Sequence, residues 1–240
     1  MIVSAHQPAY LPWLGYFHKM ALSDVFVVLD DVQFEKNSFI NRNRVKTHNG
    51  PIYLTVPVLL KGHTDCTIRD IEINRNEDWR SKHWKTIYFN YKKAPFFSKY
   101  SEYFEDLYKN DWVKLNDLLN HTLSFFITEL KINSVLHKQS DLGINSKKQQ
   151  LILDLCKRLN AEMFVFGVLG KDYADAGLFA QEGVKILFQD YQHPVYSQMG
   201  GEFVSSLSAI DLLFNVGPER SFDIIMSGNI NKKNLGGGGK

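Results

Sequence analysis

The sequence predicts an α/β protein, with a mixed, largely parallel sheet, βαβ-like units at both ends and a helical middle segment. Three observations predict it. The apolar runs VFVVLDD and EMFVFG have strand length and the near-continuous hydrophobicity of strands covered on both faces. Each neighbours a segment whose apolar residues recur three and four apart, the period of a helix packed on one side. Between the two ends, residues 78–130 keep the helical period and are rich in aromatic residues.

Size and charge narrow the function classes. At 240 residues and 44% hydrophobic, the chain can bury a substantial core. It reads as one domain over residues 1–235, with a helical insertion at about 78–130 and a flexible Gly-rich tail at 236–240. Its 28 basic and 26 acidic residues leave a formal charge of +2, too little to draw the whole molecule to nucleic acid or an anionic membrane. Any anion site has to be local. No apolar stretch approaches the roughly 18 residues of a membrane span, and the N-terminus lacks a secretory signal pattern, so a cytoplasmic location is expected. Cys66 and Cys156 form no metal-type spacing, and Cys156 falls in an apolar helical pattern suited to a buried thiol.

Taken in order, residues 1–5 read as a strand, after which Pro8 and Pro12 break regular pairing and leave His6 and Gln7 in a rigid loop. Trp13, Phe17, Met20 and Ala21 then follow helical spacing, and VFVVLDD forms the next strand. If the two strands are parallel neighbours, the His6 loop and Asp30/Asp31 share the carboxyl edge of the sheet, where open α/β sheets bind ligands. Asn41, Arg42, Asn43 and Arg44 follow. As a strand they would put both guanidinium forks on one face, suited to an anion; an exposed polar turn is the alternative. PIYLTVPVLL is a β-rich run with Pro57 arguing for an edge or bulge, and CTIRDIEI reads as a further strand.

Trp84, Ile87, Tyr88 and Tyr91 then place a helix whose aromatic stripe is either core or, with His83, the border of a cleft. Further helices are expected over about 97–108 and from Trp112 to Phe126. Ser146 and Gln149 have capping-box spacing before the helix of Leu151, Leu155 and Cys156. Strand EMFVFG, a helix at VLGKDY and strand KILFQDY follow. The turn with Gly167, Gly170 and Lys171 could present N–H groups and a charge to an anion, or be an ordinary connection. In DYQHPVYSQ, His193 lies among Gln189, Tyr191, Tyr196 and Gln198, a clustering that reads as a binding loop. Asp211 falls on the apolar face of the helix in SSLSAIDLLFNVGP, where a carboxylate needs a partner, either in a structural network or in the site.

HQPAYLPWLGYFHK, the strand ending LDDVQF, NRNR, the HPVYSQ loop and LSAIDLLFNVGP together resemble the WbqC-like protein family, in the same order from about residue 2 to 218. The resemblance implies a role in bacterial surface-polysaccharide (O-antigen, lipopolysaccharide) biosynthesis, as a transferase placing glycine or another amino acid on an amino sugar or its nucleotide-linked form. Its substrates would be a nucleotide sugar and an activated amino acid, with nucleic acid involved only if aminoacyl-tRNA is the donor. Phe166-Gly167 stands where the resemblance leads one to expect Ser-Gly.

Such a reaction needs a base for the amine and donors for the oxyanion. His6 is the first candidate base and His193 the second, with Asp30 or Asp31 to orient the imidazole. Gln7, Asn41 and Asn43 are candidates for holding the carbonyl oxygen or sugar hydroxyls, and Arg42 and Arg44 for clamping a diphosphate. Tyr10, Trp13, Gln33, His83, Tyr88, Tyr91, Lys171, Tyr173, Tyr196, Gln198 and Asp211 complete the binding set. No nucleophile motif or zinc spacing is visible, so direct attack by the amine is expected; no cofactor and no oligomeric state are assigned. Two alternatives stand beside this. The opening segment also resembles nucleotidyltransferase-like folds, which implies adenylation with His6 and His18 on the phosphates; and amide- and aromatic-rich loops can bind sugar without catalysis.

Overall fold

The apolar periods are realised as seven strands and ten α-helices in a computed structural model that describes residues 1–59 and 66–235. Leu60, the end of the PIYLTVPVLL run, and the 236–240 tail lie outside the described residues. Strands β1 (Ile2–His6), β2 (Val25–Val28), β5 (Val135–Lys138), β6 (Met163–Phe166) and β7 (Lys185–Phe188) form one sheet in the order β5-β2-β1-β6-β7. Every pairing within it is parallel. β3 (Arg42–Thr47) and β4 (Gly50–Thr55) form a separate antiparallel hairpin. The sheet thus matches the α/β expectation.

Alternation along β2 shows why these strands are apolar throughout. Phe26 and Val28 point into one core with Leu14, Phe17 and Met20 of α1 (Leu14–Ala21) and with the middle helices α2 (Trp79–Tyr91), α3 (Phe97–Lys109) and α4 (Leu115–Glu129). Val25 and Val27 point the other way, into a second core with Val3, Phe164, Phe166, Leu155 of α6 (Lys148–Arg158) and Phe179 of α7 (Ala176–Gln181). Both faces are covered, as a parallel sheet requires. The chain leaves β1 towards β2 and leaves β6 towards β7, in opposite directions along the sheet. The gap between the carboxyl ends of β1 and β6 is therefore a topological switch point, where open α/β sheets hold ligands.

Three local expectations are corrected, and one strand was not expected. CTIRDIEI is a single 3-10 turn, Ile68–Asp70, flanked by isolated bridges at Thr67, Glu72 and Ile73. Ile68 and Ile71 are buried three residues apart, so the apparent alternation was one helical turn. Ser146 and Gln149 make no capping box: Lys147 is the N-cap of α6 without a side-chain bond, and Gln149 Oε1 accepts from Asp175 N. VLGKDY is a 3-10 turn over Val168–Asp172, and the α-helix of that crossover is α7. β5 has no apolar run to announce it: it is a short edge strand with Val135 and Leu136 exposed.

Asp30, 2% exposed, accepts from Ser140 N at 3.0 Å and Ser140 Oγ at 2.8 Å. It thereby ties the end of β2 to α5 (Gln139–Leu142). Asp30→Ala is expected to lower stability by about 1–2 kcal/mol, because it leaves a half-buried N–H and hydroxyl without their acceptor. Urea denaturation measures this, and an unchanged midpoint would contradict the tie. Among the described residues no helix is long and apolar enough to cross a membrane, and no group of three or more His, Cys, Asp or Glu side chains is placed to hold a metal ion.

Candidate functional site

A cavity of about 1460 Å³ opens at the switch point, larger than the roughly 300–1,000 Å³ of a single small-ligand pocket. His6 and Gln7 enter it from the end of β1, Asp31 and Gln33 from beyond β2, Gly167 and Tyr173 from beyond β6, and His193 from the loop after β7. Trp13 and Tyr16 form the wall at α1. The two candidate bases thus belong to one cavity.

Both imidazoles are oriented by the backbone. His6 Nδ1 donates to Gln7 O at 2.9 Å, and His193 Nδ1 donates to Pro194 O at 3.1 Å. With the proton fixed on Nδ1, each ring keeps a lone pair on Nε2, and His193 Nε2 is enclosed without a hydrogen-bond partner. Burial, then the positive charge of Lys19, lower the His6 pKa to about 3, against the opposing Gln7 bond. Burial also lowers that of His193. Both rings are neutral at physiological pH. His6 packs against Trp13 and Tyr16, with ring centres 5.4 and 4.9 Å away. The Tyr16 hydroxyl is buried without a partner and its pKa is raised by burial, so it is an uncommitted donor beside His6.

The aspartates do not orient these rings. Asp30 is committed to Ser140, and Asp31 pairs with Arg69 at 3.1 Å on the cavity wall. The NRNR segment is a brace rather than an anion clamp. Asn41 Nδ2 donates to Val56 O, and Asn43 Nδ2 donates to Leu11 O at 2.6 Å. Arg42 bonds the Asn37 carbonyl and lies over the Tyr53 ring, while Arg44 Nη2 donates to Ser206 O at 3.1 Å. Leu11 and Ser206 both have positive φ, 44° and 57°, a costly conformation for non-glycine residues. Asn43 and Arg44 therefore hold the strained turns of two separate loops.

The remaining candidates lie outside the cavity lining. Tyr10 is buried between His83 Nδ1 at 2.9 Å and the Tyr108 hydroxyl at 2.6 Å. Tyr91 and Tyr196 donate to Asp211 Oδ2 and Oδ1 at 2.8 and 2.9 Å. Gln198 donates to Val204 O and accepts from Lys46. Tyr88 is exposed on α2 beside Trp84 and Phe97, and Lys171 is exposed on the turn after β6. His18 is saturated: Nε2 donates to Ile230 O, and Nδ1 accepts from Gln189 Nε2.

His83, 5% exposed, has its pKa lowered to about 4 by burial, opposed by a bond to the Thr55 carbonyl. Unfolding lets it protonate below its ordinary 6.5, so the stabilising effect is complete above that pH and is lost as pH falls towards 4. In that window stability should decline by about 1.4 kcal/mol per pH unit from this residue. Urea titrations of His83→Gln at pH 7, 6, 5 and 4.5 should show a slope reduced by about that amount, and a slope equal to wild type would refute the assignment.

Sequence reasoning missed Lys19, Gln139 and Ser146, all in the cavity wall. Gln139 Oε1 and Ser146 Oγ are buried without partners. Lys19 carried no signal in the sequence, where α1 reads as an ordinary amphipathic helix; the burial of residues 14 to 20 in the fold is what leaves its one lysine without a polar face along which to reach water.

An uncharacterized protein of Mycobacterium tuberculosis (strain ATCC 25618 / H37Rv), Rv1507c, is 33% identical over 219 residues, 90% of this chain and 94% of its own. No solved structure matches the chain. The model of the WbqC-like protein family matches residues 7–222, from the loop after His6 through the Asp211 helix, and the chain belongs to that family.

Proposed function

We propose that the protein is a transferase that moves an aminoacyl group, glycyl among the candidates, from an activated donor onto the amine of a nucleotide-linked amino sugar, in the biosynthesis of surface polysaccharide. The observation that carries this reading is the pair of neutral imidazoles, each with a free Nε2, in one cavity at the switch point. The amine nitrogen attacks the donor carbonyl, the carbon–leaving group bond breaks, and His6 Nε2 takes the proton released from the attacking amine and returns it to the leaving group. The Tyr16 hydroxyl, buried without a partner beside His6, is the candidate donor to the oxyanion. The cavity's volume suits two substrates held together, which is how proximity lowers the barrier.

Mass spectrometry of nucleotide-linked amino sugars incubated with the protein and activated amino acids, aminoacyl-tRNA included, tests the reading. A mass gain of one aminoacyl residue is expected. Binding of the nucleotide sugar with no product across the donor panel would replace the reading by non-catalytic sugar binding. The strand order favours one further reading, ATP-dependent adenylation, since it is that of mononucleotide-binding sheets. His18, committed to Ile230 and Gln189, takes no part in it, and amino-acid-dependent pyrophosphate release separates the two.

A further inference from the structure

Lys19 is a buried charged side chain at the switch point. It is 3% exposed and lines the cavity. Its Nζ donates to Ala5 O at 2.9 Å, on strand β1 one residue before His6. That bond uses one of three ammonium donors, and among the described residues no carboxylate lies within ion-pairing distance of it. Gly167, the first residue beyond β6, faces the same atom: a Cβ built there would lie 3.9 Å from Lys19 Nζ, with no other atom nearer than 4 Å. The φ of Gly167 is −73°, which any residue adopts, so glycine is not needed for backbone reasons. What it leaves is open space between the ends of β1 and β6, directly against a buried ammonium.

A buried charge without a counter-ion is a standing cost. Burial alone lowers the Lys19 pKa to about 7, and the uncompensated charge in turn helps to suppress the basicity of His6. A structural lysine would be relieved by a carboxylate from the fold or by a longer reach to solvent, and α1 supplies neither. A ligand anion in the Gly167 gap would satisfy the two remaining donors and cancel the charge facing His6.

We propose that Lys19 and the gap at Gly167 form the seat for a phosphoryl group of the substrate, at the crossover between β1 and β6. This rests on reading the cavity as the site of a nucleotide-linked substrate. It gives Lys19 the anion-holding part that the sequence suggested for Arg42 and Arg44, and it places the phosphoryl group beside His6. Occupancy raises the basicity of His6, so the base becomes competent when the charged substrate is seated.

Isothermal titration of the protein with inorganic pyrophosphate tests this without requiring turnover. Wild type is expected to bind, and Lys19→Met to weaken binding by at least about tenfold, the scale of a charge-assisted hydrogen bond in a dry site. Gly167→Ala keeps the lysine, is compatible with the local backbone and narrows the gap, so several-fold weaker binding is expected. Lys109→Met, exposed on α3 and outside the cavity lining, should bind as wild type. Wild-type protein that binds no pyrophosphate, or Lys19→Met that binds it as wild type does, overturns the proposal. If Lys19→Met does not fold, Gly167→Ala decides, and unchanged binding overturns it. Glycine is the competing arm: displacement of pyrophosphate by an equal concentration of glycine would assign the ammonium to a carboxylate instead. Lys19-dependent binding without any aminoacyl product removes the transfer reading alone, whereas wild-type transfer by Lys19→Met removes this inference alone.

Discussion

His6→Ala is expected to lower the transfer rate by about 10²- to 10⁴-fold, the range for removal of a positioned acid–base group, with a much smaller change in substrate affinity. The ring is fixed by its Nδ1 bond to Gln7 O and by Trp13 and Tyr16, so Nε2 reaches the cavity in one orientation. His193→Ala should cost less, because the proton transfer is assigned to His6 while His193 Nε2 is enclosed. The pH profile supplies a second readout. A His6 pKa of about 3 without substrate keeps the base of the free enzyme unprotonated across pH 5 to 8, so an acid limb near pH 6.5 in kcat/KM, which reports the free enzyme, would mean that the base is elsewhere. Steady-state rates for the variant and wild type over that range measure both, and wild-type rates from His6→Ala would end the acid–base role.

Asp211→Ala is expected to destabilise the fold by about 3–5 kcal/mol, the cost of breaking a buried, charged hydrogen-bond network. Asp211 is fully buried on α8 (Ala209–Val216) and accepts from the Tyr91 and Tyr196 hydroxyls through its two oxygens. Tyr91 in turn accepts from Lys46 N, and Lys46 Nζ donates to Gln198 and Glu202 O. Removing the carboxylate strands two hydroxyls and weakens the positive partner at once. Asp211→Asn, which keeps an acceptor, should cost about 1 kcal/mol. Urea denaturation of both variants is the measurement; a loss below about 1 kcal/mol for alanine would mean that the network is replaced by water.

The strands of the sheet were legible where burial on both faces made them continuously apolar, as in β2 and β6. β5 was not, because an edge strand of four residues with two exposed carries no such run. The alternation in CTIRDIEI misled because isoleucines three apart fit a single helical turn as well as a strand. At the site, His6 and His193 could be brought together on paper because each follows a strand of a parallel sheet. The partners of the polar residues could not. Whether Asn43 meets a ligand or Leu11 O, or Asp211 a substrate or two tyrosines, depends on contacts 32 and 120 residues away. Lys19 was hidden for the opposite reason: its neighbours in sequence look like an ordinary amphipathic helix, and only the packing on all sides shows that its charge has nowhere to go.

The β3–β4 hairpin has a consequence for how the cleft can open. Asn43 and Arg44, adjacent on one strand, hold the Leu11 turn after His6 and the Ser206 turn after His193. The two walls therefore share a single mechanical anchor, and a displacement of either transmits through one peptide unit to the other. Breathing of this cleft is a concerted motion of both histidine loops about the hairpin, so slow exchange of amides in one loop should report on the other.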